Sequence, residues 1–494
     1  MHMKKYTYII GLFLVSTFGS CTKFVDFNPQ ENYEITADNY FKTAEDYQKM
    51  TIGVYSPIQW LWSIPVIGDV ASDNAVSGGE NATDNIALQQ IDDYQLIPNN
   101  SNLTEIWKSC YEGINRANYL EENKAKLDFT GKSALYGEVY FLRAYYYFEL
   151  VKMFGGVPLF TNKRLSVGDS NKFQRATKAQ VYAQIEIDLT AAIAALPVTN
   201  SQQGRATKYA AQALLGKVYL YQDKFTEAAA MLENVIGKFS LPASYESIFL
   251  EAGENGSESV FEVQYSNASP FYDWSNPGRG QGNLAVQICG IRNLTGSSPY
   301  NSGWSTNLPT ANLAAAFAAG DTRKAVTVLD IEAYKTANAG MNITYTVAPY
   351  KNTGLYNQKY LPRVGQTSGQ VELNYLNNYR AIRYADVLLM AAEANNRAAA
   401  PNDAKAQLYL NQVRARAFAD NLHNVSATGT ALKTAIWDER RLELGMEGHR
   451  FFDLVRTGQA ASKITGWLPN KNEVFPIPQA EVDISGLEQN PGYN

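Results

Sequence analysis

The chain of 494 residues is poor in the side chains that most chemistry needs, with three cysteines and three histidines in all. His2 lies near the N-terminus and His423 in a polar stretch, so His449 is the one imidazole embedded in a pattern. A HExxH zinc site or a two-histidine triad cannot be assembled from these. Neither Cys110 nor Cys289 sits in a CxxC pair, so a zinc ribbon or thioredoxin-type exchange has no support. These two thiols either pair or stay free and buried. Gly131-Lys132-Ser133 ends like a phosphate-binding loop, but Lys126 stands where its first glycine belongs. Gly278-Arg279-Gly280-Gln281-Gly282 lacks the dinucleotide spacing, and no GxSxG elbow occurs. No metal or cofactor is therefore expected, and the chain is expected not to be an enzyme. A pair of carboxylates for glycoside hydrolysis is the exception, because their separation is a three-dimensional quantity.

Positive charge is also short: 43 Lys and Arg stand against 48 Asp and Glu, a net charge of -5. A nucleic-acid binder needs a concentrated basic face, and none is visible. Long apolar runs are missing after residue 21. The one apolar run, Tyr6 to Phe18, follows Lys4 and Lys5 and ends in Phe18-Gly19-Ser20-Cys21. It is short for a membrane span and ordered like a secretory signal. Small residues before a cysteine predict a lipoprotein signal over 1–20, with Cys21 as the acylated anchor. An ordinary signal with an incidental cysteine is the plainer alternative. Residues 21–494 would then form a single globular domain outside the membrane.

What is abundant is tyrosine, 32 residues, with 21 Phe and 7 Trp. Leu135, Val139, Leu142, Tyr146 and Leu150 keep a helical period that stops at Gly155-Gly156, while tyrosines occupy the other faces. A helix apolar all round is a buried helix. Lys178 to Ala195 predicts another, closed by Pro197. Thr207 to Phe239 reads as a helical hairpin with Gly216 and Tyr219 at tetratricopeptide offsets, and Tyr379–Asn396 with Asp403–Ala417 as a second. One hairpin cannot bury its own face, so a helical repeat body with insertions is expected.

The largest insertion runs from about 241 to 376. It opens with strand-like Glu258 to Tyr265 and continues in Asn, Ser, Gly and Pro with Phe271, Tyr272, Trp274, Tyr300 and Trp304. These rings follow no core period. They either staple the loop to the body or form a stacking surface for sugar rings, whose hydroxyls polar side chains would satisfy. Trp274, Tyr300 and Trp304 are the stacking candidates, and Asp73 and Asn74, in a polar loop with Asn81 and Asp84, are the candidate hydroxyl partners. Each of these Asx residues could equally be a turn former. Trp60 and Trp62, beside Pro57 and Pro65, are a reserve pair.

The most patterned stretch is Trp437 to Leu454, where Arg440, Arg441, Arg450 and Arg456 face Glu447 and Asp453. An ion-pair lattice that locks a helix and its glycine break onto the core is the favoured reading, with His449 as a structural member. Glu439-Arg440-Arg441-Leu442-Glu443-Leu444 with Glu447-Gly448-His449-Arg450-Phe451-Phe452-Asp453-Leu454 closely resembles the signature of the SusD/RagB family of outer-membrane nutrient-binding lipoproteins. Cys21 to Asp26, Leu142 to Phe148, Phe154 to Leu159, Arg205 to Lys208, Phe475 to Pro478 and Gln489 to Tyr493 agree in order, over nearly the whole chain. The resemblance implies an all-α dominated fold, with four tetratricopeptide-like helix pairs and large irregular loop and short-strand insertions forming the ligand face. It also implies a lipid-anchored protein at the outer-membrane cell surface. Such a protein captures an oligo- or polysaccharide without cleaving it and delivers it to a SusC-like TonB-dependent transporter. A peptide-binding lid of a similar importer and a surface glycoside hydrolase are the alternatives. The family's ligand residues are not a fixed motif, so the site candidates rest on the loop reasoning.

Overall fold

A computed structural model describes residues 40–165, 169, 174–274, 280–368 and 372–493. The expected signal, Cys21 and the Thr22 to Asp26 segment lie outside the described residues, as do Gly278 and Arg279. The first helices are α1 (Ala44–Tyr55), started by a Thr43–Asp46 capping box, and α2 (Ser63–Val70). The body then continues with α3 (Ser101–Glu122), α4 (Lys132–Phe154), α5 (Lys178–Ala195), α6 (Lys208–Leu220) and α7 (Phe225–Leu232). From α3 to α7 each helix packs on the next.

Helix α4 is the predicted buried helix: between Leu135 and Val151 only Tyr140 is not buried. Its tyrosines fill the spaces between helices and satisfy their hydroxyls on backbone carbonyls, Tyr136 on Leu120 at 2.7 Å, Tyr146 on Val54 at 2.7 Å and Tyr147 on Phe160 at 2.8 Å. Arg143 crosses to α5 and grips Asp188 through two bonds of 2.7 and 2.8 Å. Helix α5 starts on the Thr177–Gln180 capping box. In the α6–α7 hairpin a Cβ on Gly216 would lie 2.5 Å from the Leu232 side chain, so the small residue is what lets the two helices close.

Between α7 and the last helices lie short pairings and several small helices, among them α8 (Leu284–Cys289). In chain order the strands are β1 (Ala75–Ser77), β2 (Ser259–Val263), β3 (Ile291–Arg292), β4 (Ser302–Gly303), β5 (Asn307–Pro309), β6 (Val328–Asp330), β7 (Leu355–Asn357) and β8 (Tyr379–Arg383). Among the described residues they form four two-stranded sheets: β1–β5, β2–β8 and β6–β7 antiparallel, β3–β4 parallel. Ile291, Leu308, Leu329, Tyr356 and Leu361 give this insertion a core of its own, while the main core is continuous from Phe41 to Tyr493.

The body closes with α9 (Tyr384–Arg397), α10 (Asp403–Phe418), α11 (Gly429–Glu443), α12 (Arg450–Arg456) and α13 (Gln479–Ser485). Here the second hairpin needs a correction, because Tyr379–Arg383, expected as its first helical turn, is strand β8 paired with β2. The strand is buried on both faces: Ala381 and Ile382 cover the core while Arg380 and Arg383 are drawn inward by carbonyls and carboxylates on the facing segments.

The patterned stretch from α11 into α12 is an ion-pair lattice, as favoured, with Arg440 and Arg456 on Asp453 as expected but other partners on Glu447. Glu447 accepts from Lys359 at 2.7 Å and from Arg383 at 2.8 Å, and not from the nearby arginines. Arg383 and Arg416 meet again on Glu443, Arg323 joins Glu443 and Glu439, and Arg440 joins Asp386 to Asp453. Burial alone would raise Asp453, yet Arg440 and Arg456 outweigh it and hold the carboxyl at about 2. His449 Nδ1 lies 3.5 Å from the Lys217 ammonium; burial, then that charge, pushes the imidazole down to about 3 and keeps it neutral. Gly448, at φ +82°, is a required glycine: a Cβ there would lie 2.2 Å from Pro65 Cα. Both remaining cysteines are free and buried.

Candidate functional site

The insertion brings two of the three stacking candidates together. Trp274 and Trp304 are near parallel, with ring centroids 6.0 Å apart and planes at 24°, an offset-stacked pair. Trp274 is 60% exposed, the largest ring left open to solvent, and its indole N–H donates to Glu372 at 3.3 Å. Trp304 is half-buried and rests on Tyr272, Leu284 and Leu373. Trp60 and Trp62, from the 3-10 turn Ser56–Leu61 and the start of α2, rest on the same three residues. Four indoles thus gather where the helical body meets the insertion.

Backbone geometry holds this arrangement. Asn374 Oδ1 accepts from the Tyr272 N–H at 2.8 Å and Asn374 Nδ2 donates to the Tyr272 carbonyl at 2.9 Å, clamping the loop that carries Trp274. A Cβ on Gly280 would lie 2.1 Å from Tyr272 N, so only glycine passes there. Trp304 N–H donates to the Gln287 carbonyl on α8 at 2.9 Å, and β5 then pairs with β1. Through that pairing the polar 71–85 loop is fixed beside Trp304.

The polar neighbours differ from those expected. Asp73 and Asn74 are not aimed at the indoles: Arg450 grips the Asp73 carboxylate through bonds of 2.7 and 2.9 Å, and Arg441 Nε donates to Asn74 Oδ1 at 2.8 Å. Asn74 is 0% exposed, so both residues belong to the lattice and not to a sugar-binding face. Asn81 makes the Asx turn, accepting from Thr83 N–H at 2.9 Å. Tyr300 packs instead against Tyr334, centroids 5.8 Å apart, in the insertion's own core. From the 71–85 loop it is Asp84 that reaches the site, pairing at 2.6 Å with Arg292, whose guanidinium also donates to the Trp304 carbonyl at 3.0 Å. Arg292 and Glu372 carry no local motif, and nothing short of the fold singles them out. Among the described residues no cluster of His, Cys, Asp and Glu could hold a metal ion.

An open indole pair with an acid and an Arg–Asp pair at its edges can stack a ring and bond its polar rim. Known proteins carry similar arrangements of the whole chain. Residues 23–220 match the family model described as starch-binding and associating with the outer membrane, and residues 257–493 that of the SusD family. A solved laminarin-binding SusD-like protein is 35% identical, with 92% of this chain and 100% of that one aligned and a TM-score of 0.83. The chain belongs to the SusD/RagB family. A second solved structure, surface glycan-binding protein A of Bacteroides thetaiotaomicron in complex with laminarihexaose, is 28% identical over 90% of this chain and 99% of its own, TM-score 0.80. SusD-like protein P2 of Formosa agariphila is 26% identical over 99% of this chain and all of its own length. The SusD designation carries outer-membrane association, and among the described residues no helix is long and apolar enough to cross a membrane.

Proposed function

We propose that this chain is a surface glycan-capture protein whose ligand is a neutral β-1,3-linked glucan of the laminarin type. The observation that carries the reading is the open Trp274–Trp304 pair, set in a chain 35% identical to a laminarin-binding relative. An indole face packs on the apolar face of a glucose ring, and ring hydroxyls bond to neighbouring carboxylates and guanidinium groups, here Glu372 and the Arg292–Asp84 pair. The protein binds and releases and does not cleave; relatives named as glycan-binding support this. Residues 1–20 act as a lipoprotein signal, Cys21 as the lipid anchor and 21–494 as a single domain at the cell surface. There the glycan passes to a SusC-like TonB-dependent transporter.

Affinity electrophoresis of residues 22–494 through gels containing β-1,3-glucan, starch, mannan or xylan tests the ligand. Retardation by the β-1,3-glucan gel alone is expected. Retardation by another glycan alone refutes the ligand class, and retention of peptides with no glycan retarded refutes capture of sugars.

A further inference from the structure

The loop that carries Trp274 has a second role in its stem. Pro270 and Gln281 from that stem, with Gln59, Trp60, Arg205 and Gln264, line a cleft of about 470 Å³. This volume lies within the range of small-ligand sites. Trp60 belongs to both places: it lines the cleft and rests on the residues that support Trp304. The cleft therefore shares Trp60 with the indole cluster.

Its chemistry is that of a neutral, hydroxyl-rich guest. The two guanidinium groups that line it have their charge answered within the protein, Arg205 by Glu138 at 3.0 Å and Arg116 by Glu112 at 2.6 Å. The carboxylate of Glu262 accepts from Asn255 N–H and Asn378 Nδ2, both at 3.1 Å. The rest of the lining is the rings of Tyr55, Trp60 and Phe261 with aliphatic side chains, and among them the amides of Gln59, Gln203, Gln264 and Gln281. An amide offers both donor and acceptor, as a sugar hydroxyl does, and each lining guanidinium already has a carboxylate of the protein as its partner, which disfavours an anionic guest.

We propose that the cleft takes the units of the glucan chain that run on past Trp60, so that the binding track extends from Trp274 through the indoles into the amide-lined cleft. This rests on the glucan reading of the indole site. The test is calorimetry with three-unit and eight-unit β-1,3-gluco-oligosaccharides on residues 22–494 and on two variants. Gln203→Leu with Gln281→Leu removes two amides at nearly constant volume, and Ser56→Met fills the cleft by an independent route. The unaltered protein should bind the eight-unit chain about ten-fold tighter than the three-unit chain. Both variants should lose most of that advantage and keep their three-unit affinity. A full length advantage in both folded variants overturns the cleft assignment, as does equal affinity for both lengths in the unaltered protein; either result leaves the indole site standing. Absence of binding to either length overturns the glucan reading and the cleft together.

Discussion

Replacing Trp274 by alanine separates binding from folding at this site. The ring is 60% exposed, so the free protein loses little packing with it. A bound sugar would cover roughly 50 Å² of one indole face, about 1.2 kcal/mol at 25 cal/mol per Å². Specific ring geometry adds about 0.5–1.5 kcal/mol. Trp274→Ala should therefore weaken β-1,3-glucan binding by about 2 kcal/mol, roughly thirty-fold in Kd, with an unfolding transition close to that of the native protein. Trp304→Ala should weaken binding by a similar factor but also cost about 1–3 kcal/mol of stability, because Trp304 rests on Tyr272, Leu284 and Leu373. The rings are 6.0 Å apart, so the double variant should lose less than the sum of the two by about 0.5 kcal/mol or more. Titration calorimetry and denaturant melts on the four proteins give all these quantities. Unchanged affinity in Trp274→Ala refutes the stacking argument, whatever Trp304→Ala does.

Other consequences are independent of the ligand. Arg383→Ala leaves Glu447, Glu443 and Glu258 short of a shared partner in the buried lattice and should cost about 3–5 kcal/mol in denaturant unfolding. His449 is held near 3 in the folded chain against an ordinary 6.5, so between those values the unfolded chain binds the extra proton. Its contribution is therefore present above about pH 6.5 and is lost as pH falls, and His449→Gln should flatten the fall in Tm from pH 6.5 to 4. Asp69, pushed up to about 7 by burial, has the opposite slope: the folded chain keeps its proton longer, so stability declines as pH rises from about 4 to 7. Cys110 and Cys289 are buried and their thiols are pushed upward by burial, so a thiol reagent should label neither in the native chain of residues 22–494 and both after denaturation. Rapid native labelling of either would contradict the packing described.

The helical body was legible because its signals are local. Lys178 and Ala195 bound a helix in both sequence and structure, since Thr177 and Gln180 cap it and Pro197 follows it. The close approach at Gly216 is likewise written in one residue. Strand β8 was misread because a five-residue run leading into a helix carries too few apolar positions to separate the two periods. At the site, exposed rings in a Gly- and Pro-rich loop marked Trp274 and Trp304. Their company is set by pairings that no window contains. Asp73 and Asn74 looked like free loop groups because their arginine partners are 377 and 367 residues away. Tyr300 lies four residues before Trp304 yet turns into the insertion's core, since β4 pairs with β3 between them. Trp60 and Trp62 join the site from more than 200 residues away in the chain by packing on the cluster of Tyr272, Leu284 and Leu373.

Capture without cleavage is the central claim, and one incubation addresses it. Residues 22–494 are held with β-1,3-glucan overnight, the complex is isolated by size exclusion, and the glucan is released and sized alongside a reducing-end assay. Co-elution with glucan of unchanged length and no new reducing ends is the expected result. Shortened chains, or glucan that elutes free of the protein, would contradict it.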